Sequence, residues 1–358
     1  MMNYREITLR EAIHFKNGKK RPTSEGNIPV YGGNGVLGYA GESNYEHCII
    51  IGRVGAYCGS VYLEEGKCWV SDNAIAAVPS GDNDTKFFYY LLKGLHLNER
   101  HIGTSQPLLT QEILNKINCE VPSYPDQQRI AELLSSLDRK INVNRKLNDN
   151  LAGLLQTIYQ ERFSNDILAV NQGVLSDICS YSRDKVAVSE LNVSTYFSTE
   201  NMLSGKAGST EATSLPTTSQ TTACHKGDTL ISNIRPYFKK IVYCEGNCGC
   251  STDVLCFTPS QPRYSTYLFS TLYADKFFAF MAAGSKGTKM PRGDKQQIMT
   301  YPVVLPSEEE LARFNTIASP LLEQIYSNRA ENKRLSILRD TLLPKLMSGE
   351  IDVSAVQL

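Results

Sequence analysis

The sequence predicts an α+β protein in which two domains of short strands and helices are separated by two long helices. We expect the helices to form an antiparallel coiled coil, and the whole arrangement to repeat once as an internal pseudo-two-fold repeat. Three observations predict this: a helix-like stretch that occurs twice, a coiled-coil seam within each copy, and a weaker similarity between the segments that precede the copies.

The duplicated stretch begins with VPSYPDQQRIAELL at Val121 and returns as LPSEEELARFNTIA at Leu305. The two copies align without a gap at a single offset. The aligned identities are Pro122 with Pro306, Leu137 with Leu321, Ile141 with Ile325, Asn144 with Asn328, Asn148 with Asn332 and Leu151 with Leu335. The chain is therefore built from two related halves.

Each copy carries the seam of a coiled coil, because apolar residues and asparagines recur at alternating steps of three and four. The first seam is Leu134, Leu137, Ile141, Asn144, Asn148, Leu151, Leu155 and Ile158. The second is Leu321, Ile325, Asn328, Asn332, Leu335 and Leu342, with an interruption at Arg339. A helix of roughly 38 residues is about 57 Å long at ~1.5 Å per residue.

The seam asparagines suggest how the helices pair. Asn144 and Asn148 lie near the middle of the first helix, and Asn328 and Asn332 near the middle of the second. If the helices run antiparallel, these amides meet at the centre, where they reduce stability but fix the register. The alternative, two ordinary amphipathic helices on separate cores, does not account for asparagines at equivalent positions.

The position of the long helices sets the predicted domain organisation. It consists of a first domain (1–121), a first long helix (122–163), a second domain (164–304) with an acidic linking region (164–204), a second long helix (305–348) and a C-terminal tail (349–358). In the first domain, short apolar runs such as Cys48–Val54 predict strands, and Lys86–Leu97 predicts a helix. The Ser/Thr-rich stretch Gly205–Ala223 predicts a long exposed loop.

The second domain repeats the first more weakly. Setting Tyr57 against Tyr237 aligns Ile51 with Ile231, Val61 with Ile241, Cys68 with Cys248, Ser71 with Ser251 and Pro79 with Pro259; further on, Gly103 aligns with Gly287 and Pro107 with Pro291. The helices match better than the domains. That difference is expected if the helices must pack alike while the domains bind different targets.

Composition limits the class of protein. With 41% hydrophobic residues over 358 positions, the chain can bury an ordinary core. No apolar run approaches the ~18 residues of a membrane helix, and the N-terminal stretch MMNYREITLREAIHF lacks the apolar core of a signal peptide. We therefore expect a cytoplasmic location, where the ten cysteines are reduced thiols.

Charge is balanced overall but uneven along the chain. The 37 basic and 37 acidic residues argue against a protein that holds nucleic acid by bulk charge alone. Between Gly205 and Lys295, however, eleven basic residues accompany only six acidic ones. The second domain thus has a basic segment.

The order of these motifs resembles the specificity (S) subunit of type I restriction–modification systems. The similar stretches are VPSYPDQQRIA from Val121 and its counterpart from Leu305, NRKLNDNL from Asn144 and NRAENKRL from Asn328, GTSQPLL from Gly103, and the terminal LLPKLMSGEI. The chain departs from the family pattern at the start of the second helix, where EEEL from Glu308 stands in place of the PDQQ found from Pro125.

The resemblance implies that the two domains are target-recognition domains, each of which reads one half of a split site in double-stranded DNA. It implies that the helices set the distance between the half-sites and dock methyltransferase (M) subunits, expected to be two, which bind S-adenosylmethionine. A nuclease (R) subunit joins in complete systems. The chain itself would be no enzyme and would hold no cofactor. Domains about 57 Å apart would address positions about 17 base pairs apart at ~3.4 Å per step.

Side chains that read DNA are expected in loops, because base edges need amides, hydroxyls and forked donors, and phosphates need Lys and Arg. In the first domain they are Lys19, Lys20, Arg21, Asn34, Tyr39, Arg53, Tyr57, Ser105 and Gln106. In the second they are Arg235, Tyr237, Lys239, Lys240, Lys286, Lys289 and Arg292. Because Tyr57 and Tyr237 are equivalent in the repeat, a scaffold role would explain them equally well.

The sequence carries no recognised catalytic motif, such as a P-loop, H-E-x-x-H or G-x-S-x-G. Its five histidines lack the spacing of metal ligands. Cys244, Cys248, Cys250 and Cys256 lie close together but lack the paired C-x2-C units of a structural zinc site, which favours buried strand thiols over zinc. We therefore expect no metal site.

Two other functions remain open from the sequence. A protein-interaction scaffold on a coiled-coil hinge, without DNA binding, would share this organisation, although the basic segment of the second domain argues against it. A stand-alone nuclease needs a cluster of metal-binding carboxylates followed by Lys, and the sequence shows no convincing one.

Overall fold

The computed structural model describes residues 3–103, 106–163 and 172–354. The chain forms two compact units: unit 1 comprises residues 1–143 and 331–358, and unit 2 comprises residues 144–330. Unit 1 therefore contains the first part of the first long helix and the last part of the second, and unit 2 contains the remainder of both. The assignment of 1–121 and 164–304 as recognition domains stays a prediction.

Unit 1 has eight strands and three short helices before the first long helix, within its described residues. In chain order they are β1 (Arg5–Thr8), α1 (Leu9–Ala12), β2 (Ile13–Asn17), β3 (Ile28–Gly32), β4 (Gly35–Ala40), β5 (Tyr45–Gly52), β6 (Val61–Val70), β7 (Ala74–Pro79), α2 (Thr85–Gly94), α3 (Gln111–Asn115), β8 (Asn118–Val121) and the long helix α4 (Tyr124–Phe163). The helix predicted over Lys86–Leu97 ends earlier, at Gly94, because His96 adopts a left-handed conformation with φ 47°.

A six-stranded sheet in the order β2-β7-β5-β6-β3-β4 forms the centre of unit 1, and β1 pairs with β8 beside it. The apolar run of β5 is fully buried because both faces of the sheet are covered. Ile49 and Ile51 pack with Phe87 and Phe88 of α2, whereas Ile50 faces the opposite cluster with Cys68. Alternate side chains of one strand thus supply two cores.

Unit 2 continues with ten strands and four short helices before the second long helix, among the residues described. They are β9 (Gln172–Val174), α5 (Leu175–Ile178), β10 (Cys179–Tyr181), β11 (Lys185–Ala187), β12 (Tyr196–Phe197), β13 (Gln220–Cys224), β14 (Thr229–Ser232), β15 (Ile241–Tyr243), β16 (Cys248–Cys250), β17 (Val254–Pro259), α6 (Ser265–Tyr273), α7 (Asp275–Ala283), α8 (Lys295–Met299), β18 (Pro302–Val304) and the long helix α9 (Glu308–Met347). The described part of the acidic region 164–204 thus contributes strands to the fold.

The sheets of unit 2 are a divided version of the sheet in unit 1. Their orders are β10-β17-β14-β15 and β11-β13-β16-β12, and β18 pairs with β9. The single strand β6 of unit 1 corresponds to two strands here, β15 and β16, which are separated by a turn at Glu245–Asn247. That interruption lets β16 join a second sheet.

The strand registers confirm the internal repeat. Ile51 pairs with Val61 and Ile75 in unit 1, and the residues 180 positions later, Ile231, Ile241 and Leu255, pair in the same way. The long helices begin and end 184 positions apart. Unit 2 carries an insertion, because Cys179 and its partner Pro259 are 80 positions apart, whereas Ile13 and Pro79 are 66 apart.

The long helices pack antiparallel within each unit, as predicted. In unit 1, Asp138 of α4 pairs with Arg339 of α9 at 2.5 Å, and Lys140 pairs with Glu331 at 3.4 Å. In unit 2, the rings of Phe163 and Phe314 lie 5.3 Å apart, whereas Asn148 of α4 contacts Ile325 and Asn328 of α9. Rising residue numbers in one helix match falling numbers in the other, which defines the antiparallel direction.

Residues near both ends of the described part of unit 1 pack onto its core. The Tyr4 hydroxyl donates to the carbonyl of Leu346 at 2.6 Å, and Val353, within the predicted C-terminal tail, is buried in the same cluster as Leu134. Among the helices of the described residues, none has both the length and the apolar character needed to cross a membrane.

Candidate nucleic-acid interface

Unit 1 presents a turn and a loop that hydrogen bonds hold together. The turn is the 3-10 segment Gly55–Tyr57, and the loop spans residues 101–109, of which 104 and 105 lie outside the described residues. The N–H of Gly55 donates to the carbonyl of Pro107 at 3.0 Å. The loop is closed by two backbone hydrogen bonds of 2.9 Å between Ile102 and Leu108. We call this pair the turn–loop of unit 1.

Unit 2 builds the same backbone arrangement from different residues. Its turn is Pro236–Phe238, and its loop spans residues 285–293. The N–H of Arg235 donates to the carbonyl of Pro291 at 2.8 Å, and Lys286 and Arg292 exchange two backbone hydrogen bonds of 2.9 and 3.0 Å. Each contact has its counterpart in unit 1, so this segment is the turn–loop of unit 2.

The side chains on this shared backbone differ in charge. At five equivalent positions, unit 2 has a cation where unit 1 has a glycine or an uncharged side chain. The pairs are Gly55 and Arg235, Gly59 and Lys239, Ile102 and Lys286, Ser105 and Lys289, and Leu108 and Arg292. The backbone therefore acts as a scaffold on which the charge of the exposed surface is changed.

Two of these cations occupy strained backbone positions. Arg235 and Lys239 both have φ 51°, whereas their counterparts Gly55 and Gly59 have φ 70° and 86°. Glycine adopts this left-handed conformation freely, but an L side chain there costs roughly 1–2 kcal/mol. Residues held in such conformations concentrate at functional sites, where the surrounding structure enforces them. The turn of unit 2 thus keeps two cations at a stability cost that glycine would avoid.

Three of the five cations are paired with carboxylates of unit 2. Lys239 contacts Asp275 at 2.9 Å, Lys286 contacts Asp294 at 2.6 Å, and Arg292 contacts Asp253 at 2.9 Å. Asp275 also accepts from Lys206 at 2.7 Å, and the hydrogen bonds from the two lysines lower the pKa of its carboxyl. The hydrogen bond from Lys286 likewise lowers the pKa of Asp294. These pairs reduce the positive charge that the loop presents outward.

Arg235 and Lys289 differ from the other three, because neither has a carboxylate partner among the described residues. The Nε of Arg235 is buried and has no hydrogen-bond partner there. Lys289 is exposed near the tip of the loop, two residues after Gly287, which has φ 102°. Their charges remain available to an anionic ligand.

Both turns also expose a tyrosine at the equivalent position. Tyr57 is 51% exposed and Tyr237 is 55% exposed. Large hydrophobic side chains are normally covered, but a ring on a turn can pack against a ligand surface. Neither ring is part of its unit's core, although the Tyr237 ring lies 4.8 Å from the ring of Phe238.

Comparisons with known proteins show which proteins the chain is similar to. A family model described as "Type I restriction modification DNA specificity domain" matches residues 2–152. The EcoprrI specificity subunit of Escherichia coli is 31% identical over 116 residues, which cover 32% of this chain and 29% of that subunit. The MjaIX specificity subunit of Methanocaldococcus jannaschii is 23% identical, covering 77% of this chain and 71% of that subunit. These matches make the chain similar to type I restriction–modification specificity subunits.

A solved structure agrees with this assignment at the level of the fold. The S subunit of a type I restriction–modification system from M. genitalium covers 97% of this chain and 96% of its own, with a TM-score of 0.60. At 20% sequence identity this match shows that the fold is shared. The predicted resemblance to specificity subunits is thereby confirmed.

The remaining residues of the first domain that were predicted to read DNA lie in two separate places. Asn34 follows Gly33, where a Cβ would lie 3.6 Å from the Cβ of Tyr57, so Asn34 adjoins the turn–loop. Arg53 precedes the turn, and its Nε is buried without a partner among the described residues. Gln106 is exposed on the loop, and Ser105 lies outside the described residues.

The basic stretch Lys19, Lys20 and Arg21 lies along the strand edge instead. The backbone of Lys19 bridges to Ser71, and the guanidinium of Arg21 donates to the carbonyls of Leu37 and Tyr39 at 3.5 Å. The Tyr39 side chain is exposed beside it. This basic edge therefore lies against the end of β6, through Lys19, and along β4, through Arg21.

Lys240 of unit 2 points inward. Its Nζ donates to the carbonyl of Thr199 at 2.6 Å, and burial lowers the pKa of its amine. Of the seven residues predicted for the second domain, Lys240 is therefore the one that is occupied by a protein contact away from the turn–loop surface. Its assignment as a DNA contact stays a prediction.

The sequence did not reveal a polar cleft of about 350 Å³ in unit 2. The cleft is lined in part by Tyr196, Asn201 and Asp253, and by residues of the Ser/Thr-rich stretch that was expected to be an exposed loop. Asp253 links it to the turn–loop through Arg292. The only sequence signal for this cleft was the insertion between the equivalents of β2 and β7.

The four clustered cysteines are buried thiols, together with Cys224. The sulfurs of Cys244 and Cys248 lie 3.5 Å apart, and the Cys256 thiol donates to Asp228 at 3.3 Å. Within the described ranges, no group of three or more His, Cys, Asp or Glu side chains is arranged to hold a metal ion.

The register asparagines are placed as follows. In unit 2, Asn328 Nδ2 donates to Asn148 Oδ1 at 2.8 Å, and Asn148 Nδ2 donates to the carbonyl of Ile325 at 3.2 Å. Asn144 is buried in the same unit, and Asn332 is half-buried in unit 1. A direct amide–amide hydrogen bond thus joins the two helices, and its role in fixing the register stays a prediction.

Proposed function

We propose that the chain reads a bipartite site in double-stranded DNA, with one recognition domain for each half-site. The observation that carries this proposal is the turn–loop, whose backbone is repeated in both units while its side chains differ. A protein that reads two different half-sites needs two scaffolds of the same shape that carry different side chains.

The chain supplies specificity and not catalysis in this proposal. It directs two methyltransferase subunits to the site and, in a system that includes one, a nuclease subunit, acting on DNA in the cytoplasm. The similarity of the chain to proteins that are named as specificity subunits supports this division of labour. Its zero net charge also fits, because a partner can provide much of the nonspecific attraction to phosphates.

The experiment that tests this proposal is single-molecule methylome sequencing of a host that expresses the chain with its methyltransferase partner. We expect one split motif, methylated on adenine, that disappears when the chain is omitted. Methylation without sequence preference, or none at all, would contradict DNA reading. An electrophoretic shift with pooled genomic fragments then distinguishes a protein-interaction scaffold, which would leave the fragments unshifted in the presence of the partner.

We further propose that α4 and α9 set the spacing between the half-sites. Each helix has 40 residues, and each contributes to both units. Inserting one heptad into each helix at matched positions, seven residues or about 10.5 Å of helix, should lengthen the spacer by about three base pairs. The half-site sequences should stay the same. A motif with an unchanged spacer would refute this role of the helices.

A further inference from the structure

We propose that Arg235 and Lys289 anchor the recognition domain of unit 2 to DNA phosphates, whereas the two equivalent positions of unit 1, Gly55 and Ser105, carry no charge. This inference rests on the proposed function, because it assumes that the turn–loops face DNA. It predicts that the two half-sites contribute unequally to the salt dependence of binding. The argument follows from charge pairing, backbone conformation and the repeat.

Charge pairing selects these two cations from the five in the turn–loop. Lys239, Lys286 and Arg292 each contact a carboxylate at 2.6–2.9 Å, so an approaching phosphate must compete with an existing partner. Arg235 and Lys289 have no such partner among the residues described. Free cations that face a phosphate release counterions from DNA, and each contact makes binding more sensitive to salt.

Backbone conformation explains why Arg235 in particular points to a ligand. Its equivalent, Gly55, has a similar positive φ, so a glycine would satisfy the turn of unit 2 with less strain. The arginine is held there by its N–H bond to Pro291, while its buried Nε lacks a partner among the described residues. A strained backbone position and a buried donor without a partner are both expected of an arginine that is retained to bind an anion.

The repeat supplies a matched pair of substitutions. Arg235→Gly gives unit 2 the residue that unit 1 already has, at a φ that glycine prefers. Gly55→Arg does the reverse, and a Cβ at Gly55 would meet nothing within 4 Å. Gly59 cannot be used in this way, because a Cβ there would lie 2.2 Å from the backbone nitrogen of Asn98.

The experiment measures the affinity of the full chain with its methyltransferase subunits for a mixed-sequence DNA duplex between 50 and 200 mM salt. Because affinity falls as salt rises, the slope of log K against log salt is negative. Arg235→Gly should reduce the magnitude of this slope by about 0.9, so that the loss of affinity across this range becomes about threefold smaller. Lys289→Ser should act similarly. Gly55→Arg should increase the magnitude of the slope by about the same amount.

His47→Gly is the matched control, because His47 also has a left-handed backbone, with φ 51°, but lies in strand β5 away from the turn–loop. It should be at least as stable as the parent, as should Arg235→Gly, and its slope should not change. Parent-like slopes for Arg235→Gly and Gly55→Arg would overturn the anchor while leaving DNA reading intact. An assembly that binds no DNA in its parent form would instead refute the proposed function.

Discussion

The two turn–loops share a backbone and differ in the side chains that they present. The two helix pairings, by contrast, keep apolar residues at most equivalent seam positions and differ at a few positions that are polar in one unit only. In the turn–loops, Ile102 and Leu108 of unit 1 correspond to Lys286 and Arg292 of unit 2. In the helices, Asp138 and Arg339 of unit 1 correspond to Leu322 and Leu155 of unit 2. The surface differences change the charge that each turn–loop presents, and the differences between the helices change how each unit is held together.

The difference between the two helix pairings is expected to have the larger effect on the free energy of unfolding. In unit 1, Arg339 and Asp138 are 18% and 24% exposed, and the Tyr90 hydroxyl donates to Asp138 at 2.7 Å. In unit 2 the equivalent positions, Leu155 and Leu322, lie within the apolar core. An ion pair of this kind stabilises less than a well-packed apolar pair, but removing one partner leaves a charge without compensation.

The largest expected effect is therefore that of Arg339→Leu. It leaves the Asp138 carboxylate with Tyr90 as its remaining partner, and we expect a loss of about 2–3 kcal/mol in the free energy of unfolding. Adding Asp138→Leu and Tyr90→Phe should restore unit 1 to within about 1 kcal/mol of the parent, because it then resembles unit 2. Urea unfolding, with hydrogen exchange to locate the change, measures both.

If Arg339→Leu alone proved as stable as the triple variant, the ion pair between Asp138 and Arg339 would be solvated, and the two units would not differ in this way. Arg334→Leu is the control on the same helix. Its side chain is exposed on α9, and its removal should change the free energy of unfolding by no more than about 0.5 kcal/mol.

The second effect concerns the asparagine pair of unit 2. Asn328→Leu removes the amide that donates to the Asn148 side-chain oxygen at 2.8 Å. We expect the free energy of unfolding to fall by about 1–2 kcal/mol, because that buried oxygen loses its donor. Combined with Asn148→Leu, the loss should be recovered, because two apolar residues then face each other in the seam. A double-mutant cycle from urea unfolding gives the coupling, and additive effects would argue against a shared hydrogen bond. Asn150→Leu, on the exposed side of α4, is the control.

How far the sequence predicted this molecule depends on the kind of feature. The long helices and the repeat were predictable, because seam residues such as Ile141 and Ile325 must keep one spacing to pack and so leave a regular pattern. The ion pair between Asp138 and Arg339 was visible only as an interruption of the second seam. Its partner on α4 depends on tertiary geometry that no local pattern carries.

The candidate site was predicted by residue type and less well by arrangement. Tyr237, Lys289 and Arg292 were expected in loops, and the structure brings their loops together. The backbone strain at Arg235 and the inward direction of Lys240 could not be predicted, because they follow from φ values and burial in the folded chain. The division of one sheet into two in unit 2 was also missed, since the short strands β15 and β16 resemble one interrupted strand.

The third effect tests the surface contrast. The double substitution Lys286→Ile with Arg292→Leu gives the loop of unit 2 the residues of unit 1. Because both cations already contact carboxylates, we expect the magnitude of the slope of log K against log salt for DNA binding to fall by less than the ~1.8 expected for two unpaired cations. Arg263→Leu, which breaks an exposed ion pair with Glu308 elsewhere in unit 2, is the control and should leave the slope unchanged. An unchanged slope in the double variant would show that these two paired cations make no phosphate contact.

The smallest expected effect distinguishes the second buried cluster of each unit, which contains Cys68 in unit 1 and Cys256 in unit 2. Asp228 of unit 2 is equivalent to Cys48 of unit 1, and burial raises the pKa of its carboxyl. The groups that face it are the backbone N–H and imidazole of His225 and the thiol of Cys256. Cys48 introduces no carboxylate into unit 1, so this dependence on pH should belong to unit 2.

A raised pKa in the folded state means that the folded chain favours the protonated acid. The contribution of Asp228 to stability is therefore fully present below the pKa of the unfolded chain, near 3.9, and is lost as the pH rises through the higher folded pKa. Asp228→Asn, which stays neutral, should match the parent at about pH 3 and be the more stable variant at neutral pH. Thermal unfolding across this range tests the prediction, with the exposed Asp184→Asn as control. If Asp228→Asn were the less stable variant at neutral pH, the hydrogen bonds to the carboxylate would stabilise it more than burial destabilises it. The second buried clusters of the two units would then not differ in the way that their residues indicate.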